Sequence, residues 1–236
     1  MDQLGMSPRF TARVAGIFQL LAAITATYGQ KFVLGSLTVS GNTSATAAKI
    51  LEHERLFWLG FASSIIGVVF HLAWALLLYD LFKIVNRRVS LLAVFVMLVV
   101  CAILALTSIL YAAPLLVLNA GTSLNAFTAE QVDALAYLFI QLNGYAFNTQ
   151  LVFFGLWCLL IGFLIFRSTF MPRVLGVLLA IAGLGWMIYL VPPVAVRLFI
   201  PYIAAASALG EIPLELWLII FAVNSQRWHE QAKGKT

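Results

Sequence analysis

The stretch Leu91–Val117, which reads LLAVFVMLVVCAILALTSILYAAPLLV, decides the fold class. It contains no charged residue, and Thr107 and Ser108 are its most polar positions. A helix that crosses the hydrocarbon core of a membrane needs roughly 20 consecutive apolar residues. This stretch is longer than that, so it predicts a transmembrane helix.

The composition of the whole chain agrees with this prediction. Of its 236 residues, 63% are hydrophobic and 10% are charged, and the mean hydropathy is +1.01. Soluble globular proteins carry roughly 25% charged residues, so the composition excludes a soluble enzyme, a disordered chain and a disulfide-rich secreted domain. The net charge of +5 does not indicate nucleic acid as a partner, because the basic residues are not clustered in runs.

Six apolar runs divide the chain. They are Phe10–Tyr28, Phe57–Phe82, Leu91–Val117, Tyr137–Phe166, Val174–Val191 and Phe199–Val223. Each is continuously apolar rather than alternating, which favours helices over the strands of a membrane barrel. We expect one all-α, polytopic transmembrane domain of six helices over residues 1–236. The first apolar run has the basic residues Arg9 and Arg13 at its start and so resembles a signal peptide. Because five further spans follow, we expect this segment to be retained.

Lys and Arg are distributed unevenly between the two sides of the membrane that six spans would define. On one side lie Arg9, Arg13, Lys83, Arg87, Arg88, Arg167, Arg173, Arg227, Lys233 and Lys235, and on the other Lys31, Lys49, Arg55 and Arg197. Cytoplasmic segments of membrane proteins are enriched in these residues. The bias therefore predicts that both termini are cytoplasmic.

Two long polar connections lie on the expected outer side, at residues 35–46 and 119–127. No helix breaker separates either of them from the apolar run that follows. Spans two and four are therefore expected to extend outward to about 40 residues, or ~60 Å, which is about twice the ~30 Å of the hydrocarbon core. For span four the alternative is a break near Asn143–Gly144.

Glycine spacing predicts one helix pair. Gly155 and Gly162 in span four have the same spacing as Gly176 and Gly183 in span five. Small residues allow two membrane helices to approach closely. We therefore expect spans four and five to pack against each other.

The strongest candidate site is a carboxylate pair in span six, Glu211 and Glu215. Their spacing of four places both on one helix face, with Ser207 one turn earlier. Pro213 between them frees a backbone carbonyl. Ionisable groups inside a membrane are costly and usually functional, so this pattern indicates a proton or cation site. The alternative is that both carboxyls only fix helix packing through hydrogen bonds to neighbouring Tyr or Trp side chains.

His71 lies in the middle of span two. It precedes Lys83 by 12 residues, as Glu215 precedes Arg227, so the two groups are expected at similar depth. A His–Glu pair at that depth would suit a proton relay or a ligand anchor. A structural histidine is the alternative.

Span four carries an unusually polar stretch. Gln141, Tyr145 and Asn148 fall on one helix face by their spacing. This face is predicted either to line a cavity or to form interhelical hydrogen bonds.

The sequence contains no recognisable catalytic, nucleotide-binding or metal-binding motif. Neither a catalytic residue, nor a metal site, nor a cofactor is therefore expected. Cys101 and Cys158 lie inside apolar runs and are expected to be buried small hydrophobes. Trp74 and Trp157 lie deep in their runs and are expected to pack inside the bundle.

Several segments together resemble a bacterial family of six-span membrane proteins known as a domain of unknown function, DUF4386. They are Ala12–Gly16, Thr46–Leu51, Phe154–Leu156, Gly162–Ser168, Met171–Val177, and Gly210–Glu211 with Leu216–Leu218. The resemblance covers about residues 8–224. It implies a multi-pass protein of the bacterial cytoplasmic (inner) membrane, supports Glu211 as a motif position, and supplies no substrate.

The chain departs from that family pattern at two places. The family usually has an Arg after the Phe that follows the outer helix, where this chain has Trp58. It usually has a His after the Gly-Leu of span four, where this chain has Trp157. Chemistry that depends on those two groups is therefore not implied for this chain.

Three functions follow as hypotheses. The first is a non-enzymatic membrane protein, either an accessory subunit of a membrane complex or a binder of lipid or a small molecule. The alternative is a proton- or cation-coupled transporter that uses Glu211, Glu215 and His71. The third is an intramembrane enzyme or redox protein. Membrane lipid is the expected partner, with a larger membrane complex or a homo-oligomer as further candidates.

Overall fold

The computed structural model describes residues 7–234, apart from the side chain of Thr122, and all its regular structure is helical. Within these residues six helices have the length and composition to cross a membrane. They are Pro8–Leu37, Glu54–Phe82, Arg87–Leu118, Ala129–Arg167, Arg173–Leu190 and Pro192–Ile220. The prediction of an all-α chain with six candidate membrane helices is confirmed. Lys235, which was included in the charge distribution, lies outside the described residues.

The α-helices follow one another along the chain with short connections. They are α1 (Pro8–Thr27), α2 (Thr43–Glu52), α3 (Glu54–Phe82), α4 (Arg87–Leu118), α5 (Ala129–Arg167), α6 (Arg173–Met187), α7 (Pro192–Leu198), α8 (Ala204–Ile220) and α9 (Ser225–Lys233). α1 continues through π-helical Tyr28–Leu34 to a last turn, Gly35–Leu37. A π-helical segment, Phe199–Ile203, joins α7 to α8 and contains one non-helical residue, Ile200.

The predicted continuous helix of about 40 residues is wrong for span two. The backbone of His53 leaves the helical conformation, with φ −119° and ψ 37°, and separates α2 from α3. The backbone N–H of His53 donates to the carbonyl of Lys49, and the His53 ring nitrogen Nδ1 lies 3.1 Å from the same oxygen. α2 therefore ends at Glu52, and α3 begins at Glu54 and has 29 residues.

The predicted length of span four is confirmed. α5 is a single helix of 39 residues, which corresponds to ~58 Å. Asn143 and Gly144 lie inside it, so the alternative of a break at these residues is excluded. At its start, the side chains and backbone of Thr128 and Gln131 exchange hydrogen bonds of 2.9 and 3.3 Å, which is the reciprocal capping arrangement.

The chain folds as two compact units. The terminal unit comprises residues 7–21, 70–101 and 148–234, and the loop unit comprises Ala22–Val69 and Ala102–Phe147. α1, α3, α4 and α5 contribute residues to both units. The expectation of a single domain over residues 1–236 stays a prediction.

The loop unit has its own apolar core. Its buried members are Val33, Leu34, Leu37, Ile50, Phe57, Tyr111, Leu115 and Ile140. The hydroxyl of Tyr111 donates to the carbonyl of Gly29 at 3.2 Å, so this fully buried phenol has the partner that burial requires. The side chain of Thr46 accepts from the backbone N–H of Val39 at 3.0 Å and fastens α2 to the preceding turn.

The terminal unit contains the predicted glycine pairs. A methyl carbon at Gly155 would lie 2.6 Å from the carbonyl oxygen of Gly183, and one at Gly162 would lie 2.7 Å from that of Gly176. These approaches are closer than any side chain permits. The packing of spans four and five through their glycines is confirmed. In this unit α5 and α6 are therefore in direct backbone contact.

The C-terminal helix α9 is fastened to the same unit. Trp228 is buried, and its indole Nε1–H donates to the carbonyl of Leu81 at 3.0 Å. The Gln231 side chain accepts from both the backbone N–H and the hydroxyl of Thr169 at 3.0 Å. These contacts hold α9 against the ends of α3 and α5.

Candidate functional site

A small cavity in the terminal unit brings together the two carboxylates that the sequence singled out. It is lined by Gln19, Trp74, Phe154, Trp157, Leu179, Glu211, Leu214, Glu215 and Leu218. Its volume is about 10 Å³, which is near the minimum for one water molecule. There is no room for a larger ligand. The chemistry of the site therefore depends on the polar atoms of the residues that line it.

Glu211 and Glu215 lie on one face of α8, as their spacing predicts. Both are partly buried, and Pro213 lies between them within a helix that remains continuous. Ser207 lies one turn earlier, but its hydroxyl donates to the carbonyl of Ala204 at 3.0 Å, and Ser207 does not line the cavity. The carboxylate pair is thus brought together as expected, without Ser207.

Neighbouring helices hold each carboxylate with an N–H donor. The indole Nε1–H of Trp186 in α6 donates to Glu211 Oε1 at 2.7 Å. The side chain of Gln19 in α1 hydrogen bonds to the Glu215 carboxylate. Hydrogen bonds to ionised groups are stronger than those between neutral groups, so the two donors fix the position of both carboxylates.

Two further polar atoms in the wall are buried without a hydrogen-bond partner. They are Gln19 Oε1, an acceptor, and Trp74 Nε1, a donor. Gln19 is 6% exposed and Trp74 is 2% exposed. An unpaired polar group at such burial costs about 1–3 kcal/mol, so a polar species in the cavity that bonds both atoms would be stabilised there.

The apolar part of the wall is an aromatic cluster of Trp74, Phe154 and Trp157. The rings of Trp74 and Trp157 have centroids 4.2 Å apart, and those of Phe154 and Trp157 are stacked at 5.7 Å. The expected burial of Trp74 and Trp157 is confirmed. The cluster excludes water from one side of the carboxylates and so lowers the local dielectric constant.

His71 does not line this cavity. Its ring is partly buried and lies 6.0 Å from the ring of Trp74, one turn further along α3. His71 therefore contacts the aromatic cluster from outside. A direct His–Glu pair stays a prediction.

The polar face of span four does not line the cavity either. Gln141 is exposed, Tyr145 is 64% exposed, and Asn148 is partly buried. The same stretch buries Asn143, which is 1% exposed and whose Nδ2 donates to the carbonyl of Thr107 at 2.8 Å. Asn143 thus forms a hydrogen bond between α5 and α4 within the loop unit.

Replacing Asn143 by alanine is expected to reduce the free energy of unfolding by about 1 kcal/mol, because interhelical hydrogen bonds in membranes contribute roughly 0.6–1.7 kcal/mol. The matched variant, Gln141→Ala, removes a side chain that is exposed on the same helix and should change stability by less than about 0.5 kcal/mol. Unfolding in detergent micelles with increasing dodecyl sulfate measures both. An equal loss in Gln141→Ala would contradict the assignment.

The alternative that a neighbouring Tyr or Trp side chain binds the carboxyls is met at Glu211, whose partner is Trp186. Sequence reasoning did not identify Gln19 as the partner of Glu215 or Trp74 as a lining residue. Gln19 carried a usable signal, because an amide inside the first apolar run is itself unusual.

Within residues 7–234, no group of three or more His, Cys, Asp and Glu side chains is arranged to hold a metal ion. Cys101 and Cys158 are buried and free, as expected. The chemistry available at the site is therefore that of carboxyl, amide and indole groups.

Comparison with known proteins gives the chain its family. No curated protein and no solved structure is similar enough to the chain to match it. One family model matches residues 14–222, which cover all six candidate spans in whole or in large part and include both carboxylates. The chain is a member of that family, described as Domain of unknown function (DUF4386).

Proposed function

We propose that the protein is a membrane transporter that carries protons, and that its proton-binding site is the carboxylate pair Glu211 and Glu215. The observation that carries this proposal is the shared cavity. Glu211, Glu215, Gln19 and Trp74 line one water-sized space, and Gln19 and Trp74 each carry a buried polar atom without a hydrogen-bond partner.

The membrane setting makes a change of charge the natural reaction of such a pair. Two negative charges inside a membrane cost more than one, and close carboxylates resist simultaneous ionisation. The site therefore favours a state that holds a proton, and its natural reaction is the loss and gain of that proton. The donors on Trp186 and Gln19 hold the carboxyl groups of Glu211 and Glu215 in place during this exchange.

The size of the cavity argues for a proton rather than an organic ligand. A volume of about 10 Å³ accepts a water molecule, which can donate to Gln19 Oε1 and accept from Trp74 Nε1. A lipid or a metabolite does not fit there. The cavity therefore does not favour the small-molecule binder that the sequence suggests first.

Orientation and location form part of the proposal. The bias of Lys and Arg toward the side of the termini supports cytoplasmic N- and C-termini. The family resemblance supports the bacterial cytoplasmic membrane. In this orientation Arg227 and Arg9 lie near the cytoplasmic surface, and the α2 segment lies on the outer side.

Infrared spectroscopy of the protein in lipid vesicles tests proton binding directly. We expect a C=O stretching band of buried protonated carboxyl groups that grows as the pH is lowered and does not change with added Na⁺. Glu211→Gln and Glu215→Gln should each remove part of the band, and the double variant should remove it. Glu130→Gln, which changes an exposed carboxylate at the start of α5, serves as the control. A band that persists in the double variant would contradict the proposal.

A further inference from the structure

A second site lies at the end of the terminal unit where the first span begins and the last one ends. Here a groove of about 380 Å³ is lined by Arg9 of α1, Thr169 in the α5–α6 connection, Trp217 and Phe221 at the end of α8, and Asn224 and Arg227 at the start of α9. It is separate from the cavity of Glu211 and Glu215, with which it shares no lining residue.

The charge of the groove is positive. Arg9 and Arg227 are exposed and contribute two guanidinium groups, and among residues 7–234 no Asp or Glu lines the groove. The carboxylate in the adjoining hollow, Glu230, already accepts from the Gln226 amide at 3.0 Å. Arginine is the side chain best suited to bind phosphate oxygens, because its planar fork offers parallel N–H donors.

Part of the groove lining is apolar. The rings of Trp217 and Phe221 lie 4.7 Å apart, and Phe221 is 63% exposed. A soluble phosphate ion gains nothing from contact with these apolar side chains. A ligand that carries both an anionic group and a hydrocarbon chain matches both sides.

The position of the groove indicates that the amphiphilic ligand is a membrane lipid. Arg9 is at the start of the first candidate span, and Phe221 directly follows the last. With six spans these two ends lie on the same membrane surface, at the depth of the phospholipid headgroups. Basic pockets at this depth are known to hold anionic headgroups.

The arginine of α9 is held in place before any ligand arrives. Trp228, next to Arg227, anchors α9 through its 3.0 Å bond to the Leu81 carbonyl. One guanidinium nitrogen of Arg227 lies 3.5 Å from the Thr169 carbonyl. A preformed site loses less conformational entropy on binding than a flexible one.

We propose that this groove binds an anionic phospholipid, with the headgroup phosphate between Arg9 and Arg227 and one acyl chain along Trp217 and Phe221. The lipid ties α9 and the start of α1 to the membrane surface. This proposal does not depend on the function of the carboxylate pair.

Lipid binding to the purified protein tests the proposal by native mass spectrometry with phosphatidylglycerol and phosphatidylcholine. We expect phosphatidylglycerol to bind more tightly. Each of Arg9→Gln and Arg227→Gln should weaken it about five-fold, and both together about thirty-fold. Phe221→Ala should weaken both lipids, and 3-phosphoglycerol without acyl chains should not displace the bound lipid. The matched control is Arg88→Gln, which removes an exposed arginine from the same side of the spans, at the start of α4.

Three results would overturn the proposal. The first is equal affinity for the two lipids. The second is a loss in Arg88→Gln as large as that in the groove variants, which would indicate only the general charge of this surface. The third is displacement by 3-phosphoglycerol or inorganic phosphate, which would make the groove a site for soluble phosphate. If the double variant does not fold, the two single variants at exposed positions decide the outcome.

Discussion

Vesicles that contain the Glu211→Gln protein are expected to take up protons no faster than vesicles without protein. Wild-type vesicles should acidify inside when a potassium diffusion potential, negative inside, drives proton entry. An internal pH-sensitive dye measures both rates. The expected loss is complete because glutamine cannot bind or release a proton at this position.

The substitution isolates proton exchange from structure. Glutamine has nearly the volume of glutamate, and its side-chain oxygen still accepts the hydrogen bond from Trp186 Nε1, which is 2.7 Å long in the wild type. The stability of the variant should therefore remain close to that of the wild type. Glu130→Gln, a change of the same kind at an exposed residue, should leave the flux unchanged.

Two results would contradict this prediction. If the Glu211→Gln vesicles take up protons as fast as wild-type vesicles, Glu211 is not part of the proton pathway. If vesicles with the wild-type protein take up protons no faster than protein-free vesicles, the chain alone does not transport protons. In that case a carboxyl band in the infrared spectrum would mark a structural proton, and an accessory subunit would become the better account of the protein.

The spans were predictable because a membrane imposes one requirement on every residue of a crossing segment. The backbone must satisfy its own hydrogen bonds in lipid, so a long apolar run such as Leu91–Val117 can only be a helix. The face shared by Glu211 and Glu215 was predictable for a related reason, since it depends on the geometry of one helix alone. The glycine pairs were predictable because close approach requires the absence of a side chain.

The remaining features depend on atoms far apart in the sequence. The end of α2 lies in the non-helical backbone of one residue, His53, which a hydropathy pattern does not register. The partners of the carboxylates come from α1 and α6, and no spacing rule links Gln19 and Trp186 to α8. For the same reason the sequence selected Gln141, whereas the structure buries Asn143 two residues further along the same helix.

Replacing Gly155 by alanine is expected to destabilise the terminal unit by about 1–3 kcal/mol, the usual cost of overpacking a close contact. The new methyl carbon would lie 2.6 Å from the carbonyl oxygen of Gly183 and 3.1 Å from the backbone nitrogen of Met187. Both contacts are with backbone atoms of α6, so no side-chain rotation relieves them. The two helices must separate instead.

Gly144→Ala provides the matched control in the same helix. No atom lies within 4 Å of the methyl carbon that this change adds, so it brings no clash. Alanine is the better helix former by roughly 0.5–1 kcal/mol, and Gly144→Ala should therefore stabilise α5 slightly. Opposite signs for the two substitutions in a dodecyl sulfate unfolding titration would establish that the glycines of α5 and α6 are selected for approach rather than for flexibility. Stabilisation by both substitutions would show instead that glycine in α5 acts through its backbone freedom, because that property is common to the two positions and the contact is not.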